Sequence, residues 1–132
     1  MAAYPRLYSP YDKPMWDSIA AGEMRIQCCT DCGLHRYPPG ACCPNCLSTE
    51  ARWEKLSGDA TVLSWTTYHR QYLPAHPAPY TVVAVQLAEG PIMIGNIDVE
   101  ATPKLKAGVK VAMIYGDHPD GYRLPRFQLA AA

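Results

Sequence analysis

All six cysteines of this 132-residue chain fall between positions 28 and 46, and that crowding constrains the fold more than any other feature. Two Cys-x-x-Cys pairs, Cys29–Cys32 and Cys43–Cys46, stand ten residues apart. Each pair can offer two thiolates from one tight turn to a single metal ion, and Gly33 after the first pair supplies the backbone freedom such a knuckle needs. Cys43–Pro44–Asn45–Cys46 is the matching second turn. Four thiolates make a closed tetrahedral shell with no place for water, which is a structural site rather than a catalytic one. Metal binding at such a site contributes roughly 10 kcal/mol of apparent folding free energy to a ribbon without a core of its own. Cys28 and Cys42 each precede a knuckle, so Cys28–Cys32 or Cys42–Cys46 pairing is conceivable. The longer gap fits the turn less well, and both are read as bystanders, with a redox or packing role as the alternative. Zinc is the expected metal, iron in a rubredoxin-like site is its competitor because it takes the same ligands, and two disulfides are the third reading.

The length suits one compact domain with a small appendage, large enough to bury a core without help from cysteines. Twelve Lys and Arg balance twelve Asp and Glu, and neither half is polarised. A general nucleic-acid binder needs a basic surface to displace counterions, so that balance argues against one. A phosphate-bearing small molecule needs only a few local cations and stays compatible. No apolar run approaches the roughly 18 residues of a membrane span. Residues 1–10 are rich in Tyr and Pro and lack a basic stretch followed by an apolar one, so no signal peptide is expected. A cytoplasmic location follows, and in a reducing compartment a cysteine cluster binds metal more often than it forms disulfides.

Three regions differ in texture: an N-terminal helical arm over 1–22, the ribbon over 23–50, and an all-β domain over 51–132. In the arm, Asp12 is placed as a cap, Pro14 in the first turn, and Gly22 as the stop. Met15, Trp16, Ile19 and Ala20 recur on one helical face. Trp16 either packs on the domain's own core or forms part of an arm that packs on a partner. The ribbon opens on a strand-like Met24–Arg25–Ile26–Gln27, and Tyr37–Pro38–Pro39–Gly40 turns between its halves. Beyond it, five strands are expected: Asp59–Tyr68, with a bulge where the alternation slips at Val62–Leu63; Tyr80–Leu87; residues 92–99, with Gly95 marking a bend or a close approach; a period-two stretch through Val109, Val111, Met113 and Tyr115; and residues 122–129. The last three residues read as a frayed alanine tail. Five strands without a helix long enough to cross a parallel sheet favour a small antiparallel barrel.

The order of motifs resembles a known family. A Trp-bearing helix leads into Gly22–Glu23–Met24–Arg25–Ile26–Gln27–Cys28–Cys29, then Cys32–Gly33, Tyr37–Pro38–Pro39 and Cys43–Pro44–Asn45–Cys46. Trp53, Ser57–Gly58, Ala60–Thr61–Val62 and Pro79–Tyr80–Thr81–Val82–Val83–Ala84–Val85 follow, and Gly108–Val109–Lys110–Val111 and Leu124–Pro125–Arg126–Phe127 close the chain. Nearly the whole sequence is similar to the bacterial and archaeal zinc-ribbon plus OB-fold proteins once grouped as a domain of unknown function. That family is described as acyl-CoA-associated and encoded beside thiolase-like enzymes. The resemblance implies a mainly β fold with an N-terminal helix, a rubredoxin-like zinc ribbon and a five-stranded OB-fold barrel. It implies one structural Zn2+ held by Cys29, Cys32, Cys43 and Cys46. It further implies a non-catalytic accessory subunit in a hetero-oligomer with a thiolase, a lipid-transfer-protein-like aldolase or a related acyl-CoA enzyme, with the CoA thioester as a shared ligand. The extra Cys28 and Cys42 depart from the family pattern.

No histidine among His35, His69, His76 and His118 sits in a nucleophile or metal-hydrolase motif, and no cysteine outside the ribbon can act as a thiolase nucleophile. His35 could replace a ribbon thiolate, although four cysteines already suffice, and His118 reads as a turn residue. The stretch 68–79 is too long for a hairpin turn and mixes aromatic, basic and proline residues, which leaves it balanced between an ordinary solvated loop and a functional one. As a functional loop, His69 and Arg70 meet a CoA phosphate while Tyr72 and Leu73 pack on pantetheine or the partner. Arg suits the first role because its fork satisfies two phosphate oxygens together. Arg126 and Phe127 match the family's closing pattern and are placed at the partner interface; Lys104, Lys106 and Lys110 read as a solubilising cluster. The alternative is an OB-fold protein binding single-stranded nucleic acid, with Trp65, Tyr68, Tyr72 and Tyr80 stacking on bases.

Overall fold

A computed structural model describes residues 4–131. Residues 1–3 and Ala132, the outer ends of the N-terminal stretch and of the alanine tail, lie outside the described residues. Helix α1 spans Asp12–Ala20 and strands β1 to β3 are Arg25–Cys29, His35–Arg36 and Ala51–Lys55. The barrel strands β4 to β8 follow as Asp59–Tyr68, Tyr80–Leu87, Ile92–Ile97, Lys110–Asp117 and Arg123–Leu129. No helix among the described residues is long and apolar enough to cross a membrane.

Asp12 is not the cap of α1. Tyr11 holds that position without a side-chain bond, and Asp12 is the first helical residue. Its carboxylate reaches back instead, accepting the N–H groups of Tyr8 at 2.7 Å and Ser9 at 2.9 Å. An anion in the first turn also complements the helix dipole. The helix ends in a Schellman pair, the Glu23 N–H on the Ser18 carbonyl at 3.0 Å and the Gly22 N–H on that of Ile19 at 2.9 Å. Its inward face is Met15, Ser18 and Ile19, whereas Ala20 is exposed. Ser18 earns its buried place by hydrogen bonding: its hydroxyl accepts the Arg25 N–H at 2.9 Å and so ties the helix to β1.

The ribbon is a three-stranded sheet in the order β2-β1-β3, antiparallel throughout. Because β3 pairs with β1 along its length, a division after residue 50 separates β3 from the sheet to which it belongs. The remaining strands close into a barrel in the order β4-β5-β6-β8-β7. The register of β4 against β5 slips between Val62 and Ser64, a bulge where the broken alternation placed one. Strand β6 stops at Ile97, short of the expected 99, and a 3-10 turn over Val99–Lys104 with Pro103 inside carries the chain onward.

One apolar core runs through all three regions. Met15 and Ile19 of the helix and Met24 and Ile26 of the ribbon join Val62, Val83, Val85, Val111 and Phe127 of the barrel. At about 25 cal/mol per Å² of apolar surface buried, such a shared core fastens the helix and β1 of the ribbon to the barrel. Gly95 belongs to it by absence: a Cβ there would lie 2.7 Å from Cε2 of Phe127, so the bare backbone admits the ring.

Candidate metal centre and loop face

The two knuckles repeat each other bond for bond. The Gly33 N–H returns to the Cys29 carbonyl and the Leu47 N–H to that of Cys43, both at 2.9 Å. The Cys29 N–H reaches the Leu34 carbonyl at 2.9 Å and the Cys43 N–H that of Ser48 at 2.8 Å. The residue after each pair takes the left-handed conformation, Gly33 at φ 79° and Leu47 at φ 64°. The position suits Gly33, while a leucine there is strained. Backbone geometry alone therefore aims each thiol pair at the other. Sγ of Cys29 lies 3.5 Å from that of Cys46, and Sγ of Cys32 the same distance from that of Cys43.

All four sulfurs sit within 4.8 Å of one another. Zn–S bonds of about 2.3 Å in a tetrahedron set sulfurs about 3.8 Å apart, so the donor set fits zinc with little movement. The surroundings favour thiolate. The Cys32 N–H holds Cys29 below the ordinary thiol range, the Cys46 N–H does so for Cys43, and the Asn45 side chain does so for Cys32. At Cys46 the Ser48 N–H pulls the same way, but hydrogen bonding with Cys29 and the other sulfurs pushes its thiol up to about 12. Four thiolates cannot share one shell without a cation, which is what a zinc ion would supply there. Cys42 is exposed and outside the cluster; Cys28 is buried on the other side of β1 from Cys29.

The loop between β4 and β5 holds His69, Arg70, Tyr72 and Leu73, all exposed. The Arg70 guanidinium lies 5.4 Å above the Tyr72 ring, which braces it toward solvent. From Tyr72 a series of ring contacts crosses the molecule. Tyr72 meets Tyr68 edge-on, Tyr68 stacks on Tyr80 at 5.0 Å, and His76 bridges Tyr80 to His118. His118 stacks on Tyr122 at 4.4 Å, and Tyr122 meets Trp16 of the helix at 6.1 Å and 77°. Trp16 is half-buried against the chain's own core, the first of the two places expected for it. Burial, then the Asp120 carboxylate, holds the Tyr122 phenol above its ordinary range, so it stays neutral.

Two open hollows flank this series. One of about 480 Å³ is lined by Leu73, His76, His118 and Tyr122. The other, about 290 Å³, lies among Tyr80, Asp98, Glu100, Asp117 and Arg126. In it Arg126 already binds Asp98 at 3.0 Å, and three carboxylates against one guanidinium make a poor seat for a phosphate. The structure therefore separates the residues expected to act together: Leu73 lines one hollow, Arg126 the other, and His69, Arg70 and Tyr72 line neither. Phe127 is corrected outright, being 1% exposed inside the barrel with no surface to offer CoA or a partner. Sequence reasoning missed His76 and Tyr122 and left His118 as a turn residue; the only available signal was the density of rings in 68–80 and 118–122.

Fold and site define a zinc-ribbon protein with an OB-fold barrel. Residues 16–51 match the family model described as the ChsH2 rubredoxin-like zinc ribbon domain, and residues 53–115 match that of the ChsH2 C-terminal OB-fold domain. Together these matches cover most of the sequence, and the chain belongs to that family. It is 31% identical over 130 residues to a probable enoyl-CoA hydratase alpha subunit of Thermomonospora curvata, covering 98% of this chain and 41% of that one. It is 31% identical over 105 residues to the 3-oxo-4,17-pregnadiene-20-carboxyl-CoA hydratase alpha subunit of Mycobacterium tuberculosis, covering 80% of this chain. The present chain thus spans 41% and 33% of the length of these two curated relatives. A DUF35 domain-containing scaffold protein of Pyrococcus furiosus is 28% identical over 81 residues, 59% of this chain and 58% of that one. Among solved structures, a chain of the Ltp2-ChsH2(DUF35) aldolase superposes with a TM-score of 0.87 at 28% identity, covering 96% of this chain and all of that one.

Proposed function

We propose that this chain is a non-catalytic accessory subunit of an acyl-CoA enzyme complex, docking on a thiolase-superfamily partner and helping to hold its CoA thioester. The observation that carries the reading is the end-to-end likeness to a chain of an aldolase whose name pairs Ltp2 with a DUF35 protein. The scaffold and acyl-CoA subunit names of the relatives point the same way. In this reading Cys29, Cys32, Cys43 and Cys46 hold one structural zinc, which fixes the ribbon and takes no part in chemistry. Arg70, exposed and free of a carboxylate partner among the described contacts, meets a CoA phosphate with His69 beside it, while Tyr72 and Leu73 pack on the pantetheine arm or the partner. Arg126 is assigned instead to holding Asp98.

The barrel also offers an apolar face suited to a partner. Ile92 and Ile94 of β6 are 55% and 61% exposed, and Ile94 pairs with Ala84 of β5 on the outer side. Single-stranded nucleic acid is the weaker occupant, because Tyr68 and Tyr80 stack on each other and so leave fewer ring faces for bases, while the net charge is zero. The test is co-expression with candidate thiolase-superfamily chains followed by co-purification. A stoichiometric complex that forms with the wild type and fails with Ile94→Asp supports the proposal. A shift of single-stranded DNA at moderate salt, with no stoichiometric protein partner, overturns it.

A further inference from the structure

The ribbon sheet carries a second cluster of metal-ligating side chains, on the other face from Cys29. Cys28 of β1 is the direct cross-strand partner of His35 on β2 and of Arg52 on β3. Glu54 lies two residues beyond Arg52, so the pleat turns Cys28, His35 and Glu54 to one side. Their sulfur, imidazole nitrogen and carboxylate oxygen all lie within 4.8 Å of one another. A histidine–glutamate hydrogen bond with a small apolar thiol nearby would explain two of the three, since Nε2 of His35 stands 2.7 Å from Oε2 of Glu54. The Cys28 thiol donates to the Gly33 carbonyl at 3.4 Å, a contact that leaves its convergence with both His35 and Glu54 unused.

We propose that Cys28, His35 and Glu54 form a second cation site, taking a divalent ion of the zinc or cobalt type. A mixed sulfur, nitrogen and oxygen set selects such borderline ions over magnesium or calcium, and three protein ligands leave one position for water. The outer groups are arranged accordingly. Arg52 donates from Nε to Oε1 of Glu54 at 2.9 Å, which orients the carboxylate and leaves Oε2 to the cluster. The Arg52 charge opposes the ion, but thiolate and carboxylate together outweigh it. The His35 and Glu54 side chains are 21% and 35% exposed, which opens a path for the ion, while Cys28 closes the inner side at 1%. Two tetrahedral ligands on one zinc ion stand about 3.3 Å apart, so His35 and Glu54 separate by roughly half an ångström and exchange their hydrogen bond for the metal. The Cys28 proton leaves to solvent on binding.

Cobalt titration of the zinc-loaded full chain tests this. One further cobalt per chain is expected, with a single-thiolate charge-transfer band and no release of the ribbon zinc. Cys28→Ser and Glu54→Gln, each retaining its ribbon zinc, should lose that band and that cobalt. Should either variant shed its ribbon zinc, His35→Asn at a partly exposed ligand gives the same reading. A zinc-loaded wild type that retains no cobalt, or variants that retain it equally, overturns the proposal.

Discussion

At the scale of single residues, the metal and the core make separate demands. Replacing Cys43 by Ser removes one of four thiolates, and metal content should fall from one ribbon ion per chain toward none. Cys42→Ser removes an exposed thiol outside the cluster and should leave it unchanged. Metal analysis of the two proteins checks the assignment, and equal loss from both would sink it. In the barrel, Gly95→Ala drives a methyl group into the Phe127 ring and should cost about 1–3 kcal/mol by chemical denaturation. Leu47→Gly should be neutral or slightly stabilising, because it relieves a left-handed leucine that is 75% exposed and packs on little. The cysteine spacing made the knuckles legible from the sequence, since a Cys-x-x-Cys turn is a local object. Phe127 was misplaced for the opposite reason. The closing pattern that carried it to the partner interface does not say which way the ring points, and only Gly95 on the neighbouring strand β6 shows where it goes.

At the scale of elements, the ribbon and the barrel depend on each other unequally. Ile26 of β1 and Leu56, just after β3, are buried in the common core, whereas the knuckles and β2 rest on the metal. Chelation of the ribbon metal should therefore release amide protection through residues 29–48 while β4 to β8 keep theirs. Hydrogen exchange followed by mass spectrometry reads this directly; loss of protection across the barrel as well would mean that the metal holds the whole molecule. The strands were legible because period-two alternation and the slip at Val62–Leu63 are written into neighbouring residues. The 3-10 turn at Val99–Lys104 was not, since its six residues carry no periodicity and Ile97 already reads as strand. Nor was the place of β3, whose five residues signal a strand without saying which sheet they complete. Asp12 shows the same limit: a carboxylate at a helix start can cap forward or clasp backward, and composition does not choose.

At the scale of the whole molecule, the ring series from Tyr72 to Trp16 joins the β4–β5 loop to the N-terminal helix through His76, His118 and Tyr122. Its members lie far apart in sequence, which is why the site was only partly legible there: the loop's composition marked it, but its neighbours came from the fold. Docking at the loop and the β5–β6 face would leave the zinc ribbon as the element that presents the barrel in one orientation. In a purified complex, Arg70→Ala should raise the KM for acyl-CoA by about 3- to 10-fold, the worth of one exposed charge-assisted phosphate contact, with kcat unchanged. The central claim, that the chain is an accessory subunit of an acyl-CoA enzyme, is tested most directly by activity measured on the chain alone and on the complex. Acyl-CoA turnover by the co-purified complex and none by the isolated chain is the predicted result. Thiolysis, hydration or aldol cleavage by the isolated chain, or the absence of any stoichiometric partner, would contradict it.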